Sequence, residues 1–218
     1  MSKAAMIRYP FRTRSEQEMQ TASRRFLDTM RGRRSVRHFQ SQALPMDVVE
    51  RCIEAAALAP SGANKQPWTF VLVTNPAVKK QIREAAEQEE RAFYGGRATE
   101  SWLRDVAPFG TDENKPFLED APALIAIFAQ RRGTDLGARH YYVTESVGIA
   151  LGILLAALQH AGIAALTHTP APMKFLAQIL DRPSNETAFM LLPIGYPTSD
   201  CTVPDISRKP LSDVLVKV

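Results

Sequence analysis

From Arg139 to Ala161 the chain reads as one long helix that is apolar on nearly every side. Val147, Ile149, Ala150, Leu151, Ile153, Leu154, Leu155 and Leu158 leave it no polar face. A helix of that kind has to be enclosed all round. A chain of 218 residues suits one domain, or one large domain with insertions, and offers few layers for the purpose. A second copy of the chain is therefore expected to cover one side. The apolar run from Val147 to Leu158 is 12 residues, broken by Gly148 and Gly152, and too short to span a bilayer.

The remaining elements follow from periodicity. Residues 15–31 are expected to be helical, with Met19, Phe26 and Met30 on a loosely apolar face. Pro45-Met46-Asp47 opens a second helix, carrying Val48, Val49, Cys52, Ile53 and Ala56, and Pro60-Ser61-Gly62 stops it. Buried strands are expected at Trp68–Thr74, Ala123–Ala129 and Ala188–Ile194, with a short one at Ala164–Thr167. A polar helix spans Val78 to Tyr94, with Pro76 placed at its start. Another spans Met173 to Leu180. Residues 95–118, with Gly95-Gly96, Pro108, Gly110 and Pro116, read as a long irregular loop, the kind that serves as a lid. Asp205–Val218 reads as an arm. Strands and helices do not alternate, so an α+β layered domain is expected rather than a doubly wound sheet.

Charge is unevenly spread. Residues 1–40 hold ten Lys and Arg against three acids, a balance of +7, while the other 178 residues carry −3. A local basic cluster calls for a local anion. A nucleic acid fits poorly, because the cluster lacks interleaved aromatics and the rest of the chain repels a polyanion. Only Cys52 and Cys201 are present, so no disulfide framework is possible and a reducing compartment is the simple reading. With no apolar run of signal-peptide length at the start, a soluble cytoplasmic protein is expected. Neither G-x-G-x-x-G, nor a P-loop, nor G-x-S-x-G occurs. His38, His140, His160 and His168 stand at no metal-ligand spacing, so no metal is expected.

Four motifs remain. Arg33-Arg34-Ser35-Val36-Arg37 could converge guanidinium forks and a hydroxyl on one phosphate, or could be a solvated basic turn. Ala59-Pro60-Ser61-Gly62-Ala63-Asn64-Lys65-Gln66-Pro67-Trp68 is a helix stop, then small residues, then a strand. Its small side chains would let backbone amides approach a flat ligand, or it is an ordinary turn. Thr167-His168-Thr169-Pro170 follows a strand, and Arg208-Lys209-Pro210 lies near the end. Neither means much alone.

In this order, and with PWTFVLV, PALIAIF, HYYVTESVGIALGILLAALQHAG, MLLPIGYP and VPDISRKPL between and after them, the motifs resemble the FMN-dependent nitroreductase family over nearly the whole chain from about residue 15. Within it the match runs toward the deiodinase branch, which removes halide from halotyrosines. The resemblance implies a mixed or antiparallel sheet flanked by helices in an intertwined homodimer, with FMN at the subunit interface. It implies one domain over 1–218, with a lid insertion at about 84–118 and an arm at about 205–218. Cofactor contacts would come from Arg33, Arg34, Ser35, Arg37, Pro60, Ser61, Gly62, Thr167, His168, Thr169 and Arg208. Thr169 would hydrogen-bond flavin N5 and favour one-electron steps. Substrate contacts would come from the Ala63 N–H on the phenolate and from Glu90, Tyr94 and Lys115 on the zwitterion. Glu90 and Tyr94 stand at i, i+4 on one helix face. Electrons would come from NAD(P)H or a reductase partner. Asn64-Lys65-Gln66 departs from the His-Thr-Glu of the animal enzymes, and His168 replaces a Thr. A broad nitroreductase or quinone reductase is the alternative on the same fold. A flavin-fragmenting module and a nucleic-acid binder are further ones.

Overall fold

The computed structural model describes residues 4–134 and 137–218. Lys3, counted in the basic cluster, lies outside the described residues. The chain divides into two compact units, residues 4–33 and 34–218.

The first unit is built on α1 (Glu16–Arg31). Ser15 and Glu18 form a reciprocal cap: the Ser15 Oγ accepts from the Glu18 N–H at 3.3 Å, and the Glu18 carboxylate accepts from the Ser15 N–H at 2.8 Å. No residue of α1 is buried.

The second unit centres on one antiparallel sheet in the order β1-β2-β4-β3, formed by β1 (Trp68–Val73), β2 (Ala123–Gln130), β3 (Ala164–Ala165) and β4 (Glu186–Gly195). From Ala123 to Ala129 every residue of β2 is buried. Its side chains alternate between two cores. Ala123, Ile125, Ile127 and Ala129 face α2 (Met46–Ala57) and α6 (Val143–His160). Leu124, Ala126 and Phe128 face α3 (Pro76–Ala92), α5 (Phe117–Asp120) and α7 (Lys174–Ile179). A strand covered on both faces has to be apolar throughout, which is what ALIAIFAQ supplies. The result is the expected α+β layering. Only the isolated Ser35–Ala165 bridge is parallel among the described pairings.

Three local expectations are corrected. The long helix starts at Val143, not Arg139. Tyr142 takes a left-handed φ of 49°, and Arg139 instead pairs with Arg132 across a bridge. Residues 95–118 are not an irregular loop. A π turn (Phe93–Arg97) leads into α4 (Glu100–Val106), capped by Thr99, whose Oγ1 accepts from the Trp102 N–H at 3.3 Å, and α5 begins at Phe117. The last strand starts at Glu186, two residues early, because its carboxylate is buried against Arg182, Thr69 and Gln130.

Within one chain α6 is covered on one face only. Ser146, Val147, Ala150, Leu151, Leu154 and Leu158 pack inward, whereas Gly148, Ile149 and Gly152 are exposed. Leu154 has no exposed surface. Leu154→Ala is expected to cost about 2–5 kcal/mol of stability, as buried leucine truncations do, read from the denaturant midpoint.

His168 is buried in the second core. Its main chain pairs with Leu191 in both directions, at 2.9 and 3.0 Å, and its ring stands edge-on to Phe117. Burial, followed by the positive charges of Lys115 and Arg37, pushes its pKa down to about 3. The folded chain therefore keeps this ring neutral, while the unfolded chain protonates it below its ordinary value of about 6.5. Between these values the unfolded state binds the extra proton, so stability falls as pH falls. From pH 7 to pH 5 this group alone is expected to remove about 2 kcal/mol. Denaturation curves at fixed protein concentration should show that slope flattened in His168→Gln.

Candidate functional site

The first group of site residues gathers at the β3 edge of the sheet. Val36 donates to the Ala165 carbonyl at 3.3 Å, which lays residues 34–37 alongside β3. Val36 and Phe39 turn into the core. Arg34, Ser35 and Arg37 line a cavity of about 280 Å³, together with Thr167 and Arg208. Arg34 donates to the Pro204 carbonyl, tying the cavity to the segment that leads into the C-terminal arm. Arg37 is half-buried and forms no ion pair among the described residues. Burial lowers its pKa, opposed by Tyr94. A cationic concavity without its own counter-ion suits a small anion. Arg33 closes the first unit, where its N–H donates to the Met30 carbonyl at 3.2 Å.

Past the end of β3, the isolated bridge from His168 to Leu191 keeps the Thr-His-Thr run extended and divides it. Thr167 and Thr169 are exposed, and His168 between them points into the core. The expected cofactor role of His168 thus falls on a ring that faces away from the two hydroxyls. Among the described residues its Nε2 finds no hydrogen-bond partner.

The second group is the lid trio, which the structure brings together. The Glu90 carboxylate lies 3.6 Å from the Lys115 ammonium, and both side chains are largely buried, 12% and 4% exposed. Lys115 Nζ also donates to the Asp112 carbonyl and, at 3.4 Å, to Thr111 Oγ1. It stands 5.8 Å from the centre of the Tyr94 ring. The Tyr94 hydroxyl donates to the Thr111 carbonyl at 3.3 Å. Desolvation raises the pKa of Glu90 despite the neighbouring ammonium, and raises that of Tyr94. Trp102 of α4 stacks edge-on against Phe93 and Tyr94, with ring centres 4.8 and 5.5 Å away. Phe109, in the segment between α4 and Lys115, lines the basic cavity, so the two groups are neighbours.

The third group sits elsewhere. Gly62 donates to Ser146 Oγ at 3.4 Å, and Ser61 Oγ accepts from the Gln66 N–H at 2.9 Å. A Cβ on Gly62 would meet the Tyr142 ring at 2.9 Å and the Tyr141 carbonyl at 3.0 Å, so only glycine fits there. Ala63, Asn64 and Gln66 all have positive φ, 50°, 53° and 47°. Three such non-glycine residues in four positions are local strain of the kind found at working sites. Ala63 is exposed, and among the described residues its N–H has no acceptor. Pro60 is exposed beside it. This segment leads into β1, whereas the basic cavity lies beyond β3. Three strand spacings, about 14 Å, separate these two edges.

Sequence reasoning missed Trp102, Phe109, Thr111 and Glu87. Phe109 lines the basic cavity, and Glu87 accepts from the Lys115 N–H at 2.9 Å. A carboxylate one turn before Glu90 was visible as i, i+3 spacing, but the run of acids around it hid the signal.

The Nitroreductase family profile matches residues 30–196. An iodotyrosine deiodinase of Haliscomenobacter hydrossis is 49% identical over 98% of this chain and 98% of its own. The iodotyrosine deiodinase of Nematostella vectensis is 42% identical, over 96% of this chain and 82% of its own. Iodotyrosine deiodinase 1 of Mus musculus is 45% identical, over 97% and 74%. Among solved structures, oxidized iodotyrosine deiodinase bound to FMN and 3-iodo-L-tyrosine superposes with a TM-score of 0.76 at 30% identity, covering 88% of this chain and 97% of that one. A BluB-like flavoprotein from Clostridium difficile 630 shares the fold, with a TM-score of 0.70 at 19% identity, covering 88% of this chain and 98% of its own. The chain belongs to the nitroreductase family.

Proposed function

We propose that the protein is an FMN-dependent reductive dehalogenase of halotyrosines, acting as a homodimer. The observation that carries this reading is the buried Glu90–Lys115 pair beside Tyr94, next to a basic cavity. A carboxylate, an ammonium and a phenol are the groups that a free amino acid's own ammonium and carboxylate require. A nitroarene or quinone has no use for them. The relatives of 42–49% identity named iodotyrosine deiodinase support the same substrate class.

The residues fit FMN. Arg34, Arg37 and Arg208, with Ser35, offer forks and a hydroxyl to a phosphate, and Arg37 has no counter-ion among the described residues. Thr167 and Thr169, exposed on either side of the buried His168, bring two hydroxyls to the same sheet edge. A cavity of about 280 Å³ is smaller than the usual cofactor pocket of about 300–1,000 Å³. It suits the phosphate end, with other walls supplied from a second copy. The Pro60–Ala63 segment, at the opposite sheet edge of its own chain, is the natural wall. The bare Gly148, Ile149 and Gly152 face of α6 is the seat for the partner, since among the described residues nothing lies within 4 Å of a Cβ placed at either glycine. One nitroreductase-like domain, its lid at about 84–118, is thus completed by two chains. When bound, reduced FMN would supply two electrons which, with one proton, replace a ring carbon–halogen bond by carbon–hydrogen and release halide.

The chain's own residues do the rest. Glu90 receives the substrate ammonium and Lys115 the carboxylate, while Tyr94 adds a hydrogen bond. The strained loop holds the free Ala63 N–H as a fixed donor to the phenolate, an oxyanion-type contact that needs no rearrangement. The lid, braced by Trp102 against Tyr94, closes the site to water. Electrons reach the site from a nicotinamide or a reductase partner.

Anaerobic titration of the reduced protein with 3-iodotyrosine is expected to oxidise the flavin and release one iodide per site. Nitroarene turnover without iodide release would place the protein among broad nitroreductases instead. Lys115→Ala should weaken 3-iodotyrosine binding by roughly tenfold or more and leave FMN bound, as loss of a charged partner does. Unchanged affinity would remove the zwitterion assignment. For the dimer, mixing a cavity variant, Arg37→Ala, with a loop variant, Gly62→Val, should restore activity that neither has alone. Equal inactivity of the mixture would mean that each site is built from one chain.

A further inference from the structure

We infer that Glu87, one turn before Glu90 on α3, is a positioning residue that pins the Lys115 main chain while the Lys115 side chain works on the substrate. The inference rests on the zwitterion reading of Glu90 and Lys115 and extends it to a residue outside that trio.

Glu87 is a buried acid, 8% exposed, on the inward face of α3 with Ile82 and Ala86. Its Oε1 accepts from the Lys115 backbone N–H at 2.9 Å, a bond buried at both ends. Glu90 meets the other end of the same lysine, at Nζ. Two carboxylates three residues apart on one helix face thus hold one residue at its main chain and at its tip. Glu87 is itself held. Arg83 Nη1 donates to both of its oxygens, at 3.1 and 3.3 Å, and Arg83 Nε reaches Glu119 at 2.6 Å. Glu119 belongs to α5, which begins two residues after Lys115. The network therefore ties α3 to both sides of the Lys115 turn.

The need for such a pin follows from the distances. At 3.6 Å, Glu90 and Lys115 leave no space for an ammonium and a carboxylate between them. Binding a zwitterion separates the pair, and each group then turns to its own partner on the ligand. Lys115 thereby loses the side-chain contact that holds its turn against α3. The bond from its N–H to Glu87 involves no atom of that side chain, so it persists when the pair opens. A fixed main chain with a mobile ammonium lets Lys115 exchange partners without the lid losing its register. A charged acceptor is the stronger choice for such a bond.

The test uses the whole 218-residue chain loaded with FMN. Flavin fluorescence is titrated with 3-iodotyrosine and with 2-iodophenol, which has the ring but no zwitterion. Glu87→Ala is expected to bind 3-iodotyrosine about tenfold or more weakly, as for a lost hydrogen bond to a charged group, with 2-iodophenol and FMN affinities unchanged. Glu87→Gln keeps one acceptor oxygen for the Lys115 N–H and should stay within about threefold of the parent. The inference is overturned by parent-like 3-iodotyrosine affinity in Glu87→Ala, or by equal weakening of both ligands, which marks general collapse. A parent protein that ignores 3-iodotyrosine fails on the functional reading itself. Amide hydrogen exchange across residues 111–118, measured without substrate, separates the two failures. Glu87→Ala should exchange faster there and Glu87→Gln should remain protected. Unchanged protection in Glu87→Ala sinks the pin whatever the substrate proves to be.

Discussion

Everything chemical in this protein is displaced to the rim by the burial of β2. Its residues from Ala123 to Ala129 are covered on both faces, so the middle of the sheet can present no functional side chain. The exposed edges take that role. The edge at β3 receives Arg34, Ser35 and Arg37 through the parallel bridge from Ser35 to Ala165, and with them Thr167 and Thr169. The edge at β1 receives the Pro60–Ala63 segment, braced by Ser146 and Tyr142 at the start of α6. A two-sided core therefore leaves the two groups at opposite edges of the sheet, and under the proposed dimer the half-bare face of α6 is the surface on which two chains would bring them together.

Lys115 is held by charge rather than by apolar packing. Lys115 is 3% exposed, and a buried ammonium is tolerable only with partners. It has Glu90, the Asp112 carbonyl and Thr111, while its main chain has Glu87. Burial raises the pKa of Glu90 even beside that ammonium, a sign that desolvation outweighs the internal pair. Under the proposed function a zwitterion, bringing its own opposite charges, would relieve both groups at once.

Much of this was legible in the sequence. Strands with all-apolar runs and helices with clear apolar spacing fell within a few residues of their places, because burial on a fixed face leaves a periodic trace. The α4 helix left little trace, since ESWLRDV is short and surrounded by glycines and prolines, and it depends on the Thr99 cap and on Trp102 meeting two aromatic rings. The start of α6 was hidden because Tyr142 adopts a left-handed conformation that nothing in its side chain announces. The inward turn of His168 follows from strand alternation in a run too short to show it. The lid trio was readable only through the resemblance, because Glu90 stands in a helix crowded with acids. Glu87 was unreadable for the same reason. Its role is set by a backbone N–H twenty-eight residues away.

One feature of the Pro60–Ala63 segment bears on how such a site can vary. The group proposed to act at Ala63 is its main-chain N–H, and every amino acid except proline carries one. Under that proposal side-chain scanning would pass over this position, since replacing Ala63 deletes no side-chain group the proposal uses. What selection can act on there is the left-handed φ of 50°, which asparagine, aspartate or glycine would keep and a β-branched residue would resist. The donor is thereby insulated from most single substitutions, and its integrity is written in backbone shape rather than in residue identity.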